Sequence, residues 1–365
     1  MSVVPEKGGD RSAVVKIPLI AYHLNAMSNV FVVLSTYNGG AYVRPFIDSV
    51  RRQSLADWTL LVRDDGSSDQ TVRLLREAAA EDRRIVLLEG RQRQGASASF
   101  GSLMQSAYEM GAEYLLLADQ DDVWHDDKLQ RLLDRMRLGE ASAGRHSPHL
   151  VYSDLIVVDA QMQTIHPSFL RHSRLRHGED RPLQTLLGRC FVLGCACILN
   201  RPLLELALPL PETAASHDWW VALCAASTGH ISYLPQPTLW YRRHGKNTSG
   251  PAGFWAGFNP LRHSWSKRWE VGRRSFQQSL EQAQALRERL RERCPSDAVE
   301  ALDSLDRFCI LFERPVRGWR RVCALHRMRI PAIDLPRRLL YYLCVLGLPR
   351  DYNNKSFTTA FQVSE

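Results

Sequence analysis

The sequence is short of the features that would place it quickly. None of its eight cysteines forms a Cys-x-x-Cys pair, and none has a zinc-type spacing with histidine. This removes structural zinc and thiol-exchange motifs. Cys190, Cys195, Cys197, Cys224, Cys294, Cys309, Cys323 and Cys344 sit mostly in apolar context and read as reduced core residues of a cytosolic protein. The opening stretch has neither the basic start nor the apolar run of a signal peptide. No apolar run reaches the roughly 20 residues that span a bilayer. Lysine is scarce, and arginine supplies most of the 47 basic residues, which outnumber 39 acidic ones for a net charge of +8. Such a balance suits nucleic acid, nucleotide phosphates or an anionic membrane, and selects none of them. A nucleic-acid partner is disfavoured because the basic residues are spread out, with no interleaved aromatic platform.

The 365 residues, 45% of them hydrophobic, are enough for one large domain with an appendage, or for two domains. Residues 1–28 read as a lead-in. From there strands and helices alternate. "VFVVL" (Val30 to Leu34), "WTLLVR" (Trp58 to Arg63), "IVLLE" (Ile85 to Glu89) and "YLLLA" (Tyr114 to Ala118) are continuous apolar runs. Helical periodicity separates them over Ala41 to Gln53, Thr71 to Ala80 and Ala98 to Met110, and follows them over Lys128 to Leu138. Unbroken apolar strands are buried on both faces, which predicts an α/β fold: a mostly parallel sheet with helices on each side. A polar loop is expected at Gly139 to His149, then a strand at Leu150 to Leu155. Residues 29–250 form the predicted main domain. Residues 251–365 form a helical extension, with one helix from Trp265 to Leu290 and another beyond Pro295.

Ligands of open parallel sheets bind outside the carboxyl ends of the strands. Three polar clusters fall at those ends: "STYNGG" (Ser35 to Gly40), "DDGSSD" (Asp64 to Asp69) and "DQDD" (Asp119 to Asp122). Each alone is ordinary turn chemistry; together on one edge they predict one site. The carboxylates of "DQDD" are hard ligands for Mg²⁺ or Mn²⁺, ions that usually bring a phosphorylated ligand with them. Asp126 and Asp127 suit the start of the next helix and receive no chemical role. "SHDWW" (Ser216 to Trp220) sets Asp218, a candidate proton acceptor, beside Trp219 and Trp220, which could cover a sugar ring. "YRRHGKNTSG" (Tyr241 to Gly250) offers His244, and Arg242 and Arg243 as phosphate contacts.

Taken in order, "LSTYNGGAYV", "VRDDGSSDQT", "ADQDDVWHDDKL", "LVYSDL", "VLGCACILNRPLLELALPLP", "HDWWVAL" and "YRRHGKNTSG" resemble family 2 glycosyltransferases, most closely the bacterial rhamnosyltransferase-like, cell-surface polysaccharide branch. The resemblance covers about Val30 to Gly250. It implies the GT-A fold, the Rossmann-like fold of nucleotide-diphospho-sugar transferases, and an inverting transfer of sugar to a glycan or lipid-linked glycan. It places Thr36, Tyr37 and Asn38 in the nucleotide pocket, and Asp65 or Asp64 on the base. Gly95 allows a close backbone approach, Asp119 contacts the ribose or sugar, and Gln120 joins the donor site. Asp121 holds Mg²⁺ or Mn²⁺, His244 is a late contact to the metal or the diphosphate, Asp218 is the base, and Trp219 and Trp220 meet the acceptor. The favoured donor is dTDP-rhamnose; UDP- and GDP-sugars would use the same groups. Two segments depart from the family pattern: "GRQRQGAS" lacks the usual Asn before Gly, and "CFVLGCAC" is unusually rich in cysteine.

Other readings compete. A phosphatase-type hydrolase needs an Asp nucleophile directly after the first strand, where "STYN" stands. A non-catalytic nucleotide-sugar or glycan-binding module would not need Asp121, Asp218 and His244 together. "RRLLYYLCVLGLPR" (Arg337 to Arg350) has two readings: a buried helix, or a helix at an anionic membrane surface that would make the protein peripheral at the inner face of the cytoplasmic membrane.

Overall fold

A computed structural model describes residues 28–88, 93–173, 175, 180–244, 265–294, 296–331 and 335–349. The expected lead-in at 1–28 lies almost wholly outside the described residues, and so does the Gly245 to Gly250 part of the last motif.

Strands β1 (Val30–Thr36), β2 (Thr59–Asp64), β3 (Ile85–Leu88) and β4 (Tyr114–Ala118) form a parallel block in the order 3-2-1-4. The crossovers are α1 (Val43–Arg51), α2 (Thr71–Glu81) and α3 (Ala96–Glu109). The strand interiors Phe31 to Leu34 and Leu115 to Ala118 are wholly buried, as unbroken apolar runs require. The sheet continues through β5 (Val123–Trp124), β6 (His149–Val158), β7 (Thr164–His166), β8 (Cys197–Asn200) and β9 (His230–Arg242). Its full order is β3-β2-β1-β4-β8-β6-β9-β5, with β7 on β6. β8 runs antiparallel to both β4 and β6, while β9 is parallel to β6 and antiparallel to β5. This is the expected GT-A-like α/β architecture, with a mixed second half.

Besides the short strands β5 and β7, which the sequence reading does not contain, the structure differs from that reading at Gly139 and at β9. The polar stretch at Gly139 is still helix: α4 runs Lys128–Ala143, and Gly139 lies where a Cβ would meet the His149 ring at 2.0 Å. β9 was not foreseen. Pro235 and Pro237 argue against a strand, and the sheet absorbs them with register shifts near Asp154. Helices α5 (Phe169–His172), α6 (Pro182–Leu186), α7 (Arg201–Ala207) and α8 (His217–Thr228) cover the second half. Gly229 ends α8, where an added Cβ would lie 1.9 Å from the Pro148 carbonyl oxygen. Backbone cannot step aside there as a flexible side chain could. Gly229→Ala is therefore expected to cost about 2–3 kcal/mol, read as a lower urea midpoint at unchanged slope.

His149 makes the fold sensitive to pH. Its ring is buried, with Nε2 2.9 Å from Ser232 Oγ. Burial first, then the nearby His230 and Arg135, bring its pKa from 6.5 down to about 4. Between those values the unfolded chain binds a proton that the folded chain refuses, so stability falls as pH drops through that window. At about pH 5 the loss is roughly 2 kcal/mol. Urea midpoints near pH 7.5 and pH 5 should fall further apart in the wild type than in His149→Gln.

The C-terminal residues form α9 (Trp265–Arg293), α10 (Val299–Glu313), α11 (Gly318–Arg327) and α12 (Leu335–Leu346). α9 hooks onto the end of α7. Arg289 donates to the carbonyls of Leu206 (3.1 Å) and Ala207 (2.7 Å), and Arg293 to those of Glu205 and Leu208 (both 2.9 Å). A helix C-terminus leaves such carbonyls unpaired and favours cations. Among the described residues no helix is long and apolar enough to cross a membrane.

Candidate active site

The loops after β1 and β2 form one hydrogen-bonded unit. Asp64 accepts from Thr36 Oγ1 (2.9 Å), Ser67 Oγ (2.5 Å), and the N–H groups of Gly66 (3.1 Å) and Ser67 (2.7 Å). Its oxygens are occupied in holding the turn, so Asp64 presents no free edge to a base. Thr36 is 1% exposed and ties the turn from below; it does not line a pocket. Gln120 accepts from Tyr37 N–H (3.0 Å) and donates to Tyr37 carbonyl (3.1 Å). Both ends of its amide thus clamp the loop, using one N–H and one lone pair of the group. Tyr37 and Asn38 do reach solvent. The Arg93 guanidinium lies 4.3 Å over the Tyr37 ring. Asn38 takes φ 47° while its side chain accepts from Ser68 N–H at 2.9 Å.

Asp65 is buried and holds the glycine turn. It accepts from Arg63 (2.8 Å) and from the N–H groups of Gln94 (2.7 Å) and Gly95 (2.8 Å). Burial pushes its carboxyl up, but these bonds outweigh that and leave it lowered. Gly95 has φ +81° and open space where a Cβ would stand, consistent with the expected close approach of backbone to ligand.

The acidic cluster lies beyond β4. Asp122 is fully buried, and its Oδ2 has no hydrogen-bond partner among the described residues. Burial first, then the charges of Asp121 and Asp119, push its pKa well above the ordinary value. For Asp119, burial and the charges of Asp121 and Asp218 push it up to about 7. The nearby cation is Lys128, also fully buried. Its Nζ donates to the Cys195 carbonyl and lies 3.7 Å over the Trp124 ring. Burial brings its pKa down to about 8.

Asp121 and His244, far apart in sequence, meet here. His244 Nε2 lies 2.8 Å from Asp121 Oδ2, and its ring stacks on Tyr42 at 4.5 Å. β9 delivers His244 and pairs with β5, directly after "DQDD". Arg242 donates to the Asp121 carbonyl (3.0 Å) and to that of Ala160 (3.3 Å), and is buried, so it is a strut and not the expected phosphate contact.

Crowded carboxylates and an orphaned carboxylate oxygen fit a hard divalent cation. Asp119, Asp122 and Cys195 also bring donor atoms within 4.8 Å of one another. Burial first, then Asp122 and Asp119, push the Cys195 thiol well up. It stays a thiol beside the carboxylates. Asp121 and His244, partly open at 14% and 12% side-chain exposure, are the better-placed pair.

Asp218 stands in the first turn of α8. Its Oδ2 accepts from Gly194 N–H at 3.2 Å and its Oδ1 from Trp219 N–H at 2.8 Å. Gly194 precedes Cys195, whose sulfur lies within 4.8 Å of carboxylate oxygens of Asp119 and Asp122, so Asp218 stands at the edge of that cluster. Trp219 and Trp220 correct the acceptor expectation. They are 8% and 0% exposed, and their indole N–H groups donate to the carbonyls of Leu186 (2.8 Å) and Ala207 (2.9 Å). Both belong to the core, anchor α8, and cannot cover a sugar.

The family description "Glycosyl transferase family 2" matches residues 31–197. This segment is a family 2 glycosyltransferase domain. An uncharacterized glycosyltransferase of Nostoc sp. is 26% identical over 225 residues, 60% of this chain and 66% of that protein. The dTDP-rhamnosyl transferase RfbG of Shigella flexneri is 24% identical over 230 residues, 60% of this chain and 73% of that protein. The structure of S. aureus TarS 1-349 in complex with UDP-GlcNAc aligns at TM-score 0.50 and 15% identity, over 91% of this chain and 92% of that one, which supports the fold. The transferase domain also contains buried charged residues that sequence does not single out: Lys128 and Arg63. A lysine after two aspartates looks like an exposed helix start, and nothing local distinguishes Arg63 from a surface arginine.

Proposed function

We propose that the chain is an inverting, divalent-metal-dependent glycosyltransferase. It moves a sugar from a nucleoside-diphosphate donor to a glycan or lipid-linked glycan in cell-surface polysaccharide synthesis. The observation that carries this reading is the Asp121–His244 contact beside Asp119, within electrostatic reach of Asp218. Asp121 and His244 would hold Mg²⁺ or Mn²⁺, which when bound neutralises the departing diphosphate. Tyr37 and Asn38 would face the nucleotide, with Gly95 leaving room for it. Asp218 would take the proton from the attacking acceptor hydroxyl, and attack opposite the leaving group inverts the anomeric carbon. The similarity to the Shigella dTDP-rhamnosyl transferase favours dTDP-rhamnose as donor.

A thermal-shift series with nucleoside diphosphates, with and without Mn²⁺ or Mg²⁺, tests the reading and names the base. A metal-dependent rise for one nucleotide supports it. No rise with any nucleotide, in either condition, would return the acidic cluster to a structural role and favour a glycan-binding module.

A further inference from the structure

We propose that the outer faces of α11 and α12 form a docking surface for an anionic lipid bilayer. α12 is two-sided. Tyr341, Tyr342, Val345 and Leu348 point inward and are buried, Tyr341 edge-on to Phe276 at 5.7 Å. Leu339, Leu343 and Leu346 repeat at four and three residues along the opposite side, and are 54%, 50% and 44% exposed. Single exposed leucines are unremarkable, but this continuous stripe on one helix face is left uncovered by the described residues.

α11 extends that surface. A Cβ at Gly318 would lie 2.8 Å from the Leu346 carbonyl oxygen, so the start of α11 abuts the end of α12. The next residue, Trp319, is 54% exposed. An indole at the edge of an apolar stripe suits the headgroup boundary of a bilayer. Buried Arg321 of α11 donates to the carbonyls of Leu311, in α10, and Pro349, just past α12, both at 2.9 Å, and so ties α11 to both neighbours.

Charge selects the occupant. Residues 314–349 hold eight arginines and a single carboxylate, Asp334. Arg314, Arg317, Arg320, Arg327 and Arg329 are exposed, and none forms an ion pair among the described residues. Elsewhere on the C-terminal helices arginines are paired, as Arg287 is with Glu313 and Arg291 with Asp306. A second copy of the chain would set these unpaired arginines against each other, whereas lipid phosphates neutralise them. An apolar stripe flanked by arginine is the pattern of an interfacial helix. The inward side of α12 is the buried helix of the first reading, and on this proposal the outward side would serve the second.

The test is co-sedimentation of the full chain with phosphatidylcholine vesicles, with and without phosphatidylglycerol. Binding is expected to the anionic vesicles at low salt and to fade as salt rises. Arg320→Gln/Arg327→Gln should weaken it about 25-fold, fivefold for each arginine, the factor that about 1 kcal/mol per basic residue represents. Leu339→Glu/Leu343→Glu should abolish binding. Both pairs lie at the surface, so an unchanged Tm will show that each variant is folded. Absence of binding to anionic vesicles, or equal binding by the leucine variant, overturns the proposal. So does a chain that is dimeric in gel filtration and becomes monomeric in the leucine variant, which would assign the stripe to a second copy.

Discussion

Asp218→Asn is expected to lower kcat by roughly 10²–10⁴, the usual worth of a positioned general base, while leaving the nucleotide thermal shift intact. Asparagine keeps the shape of the side chain but has one acceptor oxygen, so it can serve the N–H of Gly194 or that of Trp219 and not both. The first turn of α8 loses one such bond but stays anchored by the two buried indoles. What is lost is the ability to take up a proton. The carboxylate is held by one backbone N–H on each oxygen, from Gly194 and Trp219, and α8 is anchored from behind by both buried indoles. Such support fixes the group without filling all its lone pairs, leaving capacity for a substrate hydroxyl. The measurement is single-turnover sugar transfer together with nucleotide binding. Near wild-type transfer by the variant would remove Asp218 from the chemistry, and loss of nucleotide binding would make it structural.

Asp121→Ala should act on the other half of the reaction, with the metal-dependent nucleotide shift lost and kcat/KM reduced by about 10²–10³. This corresponds to the several kcal/mol that a bound cation supplies to developing charge. The partner residue provides the control. His244 is in direct contact with Asp121, so His244→Ala and the double variant should be strongly non-additive, the second substitution adding little to the first. Additive losses would mean that the two residues serve different ligands. A nucleotide shift that survives in Asp121→Ala and still needs metal would move the cation site to Asp119 and Asp122.

The first half of the fold was legible because continuous apolar runs separated by amphipathic helices admit few arrangements. β1 to β4 lie within a residue or two of their expected bounds. The second half was harder to read because its signals conflict. Proline at 235 and 237 hides β9, and the strand is tolerated only because the sheet bulges beside it. At the site, residue type was legible and orientation was not. Asp121 and His244 meet, while Asp218 hydrogen-bonds to the N–H of Gly194, next to Cys195 of the acidic cluster. Thr36, Asp64 and Gln120 belong to the same motifs, yet their polar atoms are used in holding the loops that display Tyr37 and Asn38. Trp219 and Trp220 show the same limit: two indoles in sequence look like a sugar platform, and only packing shows which way they face.

The pairing of β5 with β9 has a consequence for the order in which the protein forms. His244 reaches Asp121 across a separation of 123 residues, through two rungs, Val123↔Trp240 and Trp124↔Leu239. Contacts so distant along the chain require a long loop to close and are slow to make. The parallel block can collapse around its own local crossovers well before this. A chain arrested at that stage would hold most of the carboxylates and none of their histidine partner. Competence to bind a metal-linked ligand would then be acquired late, as a property of the finished sheet, and ligand binding would report that the last strand is in place.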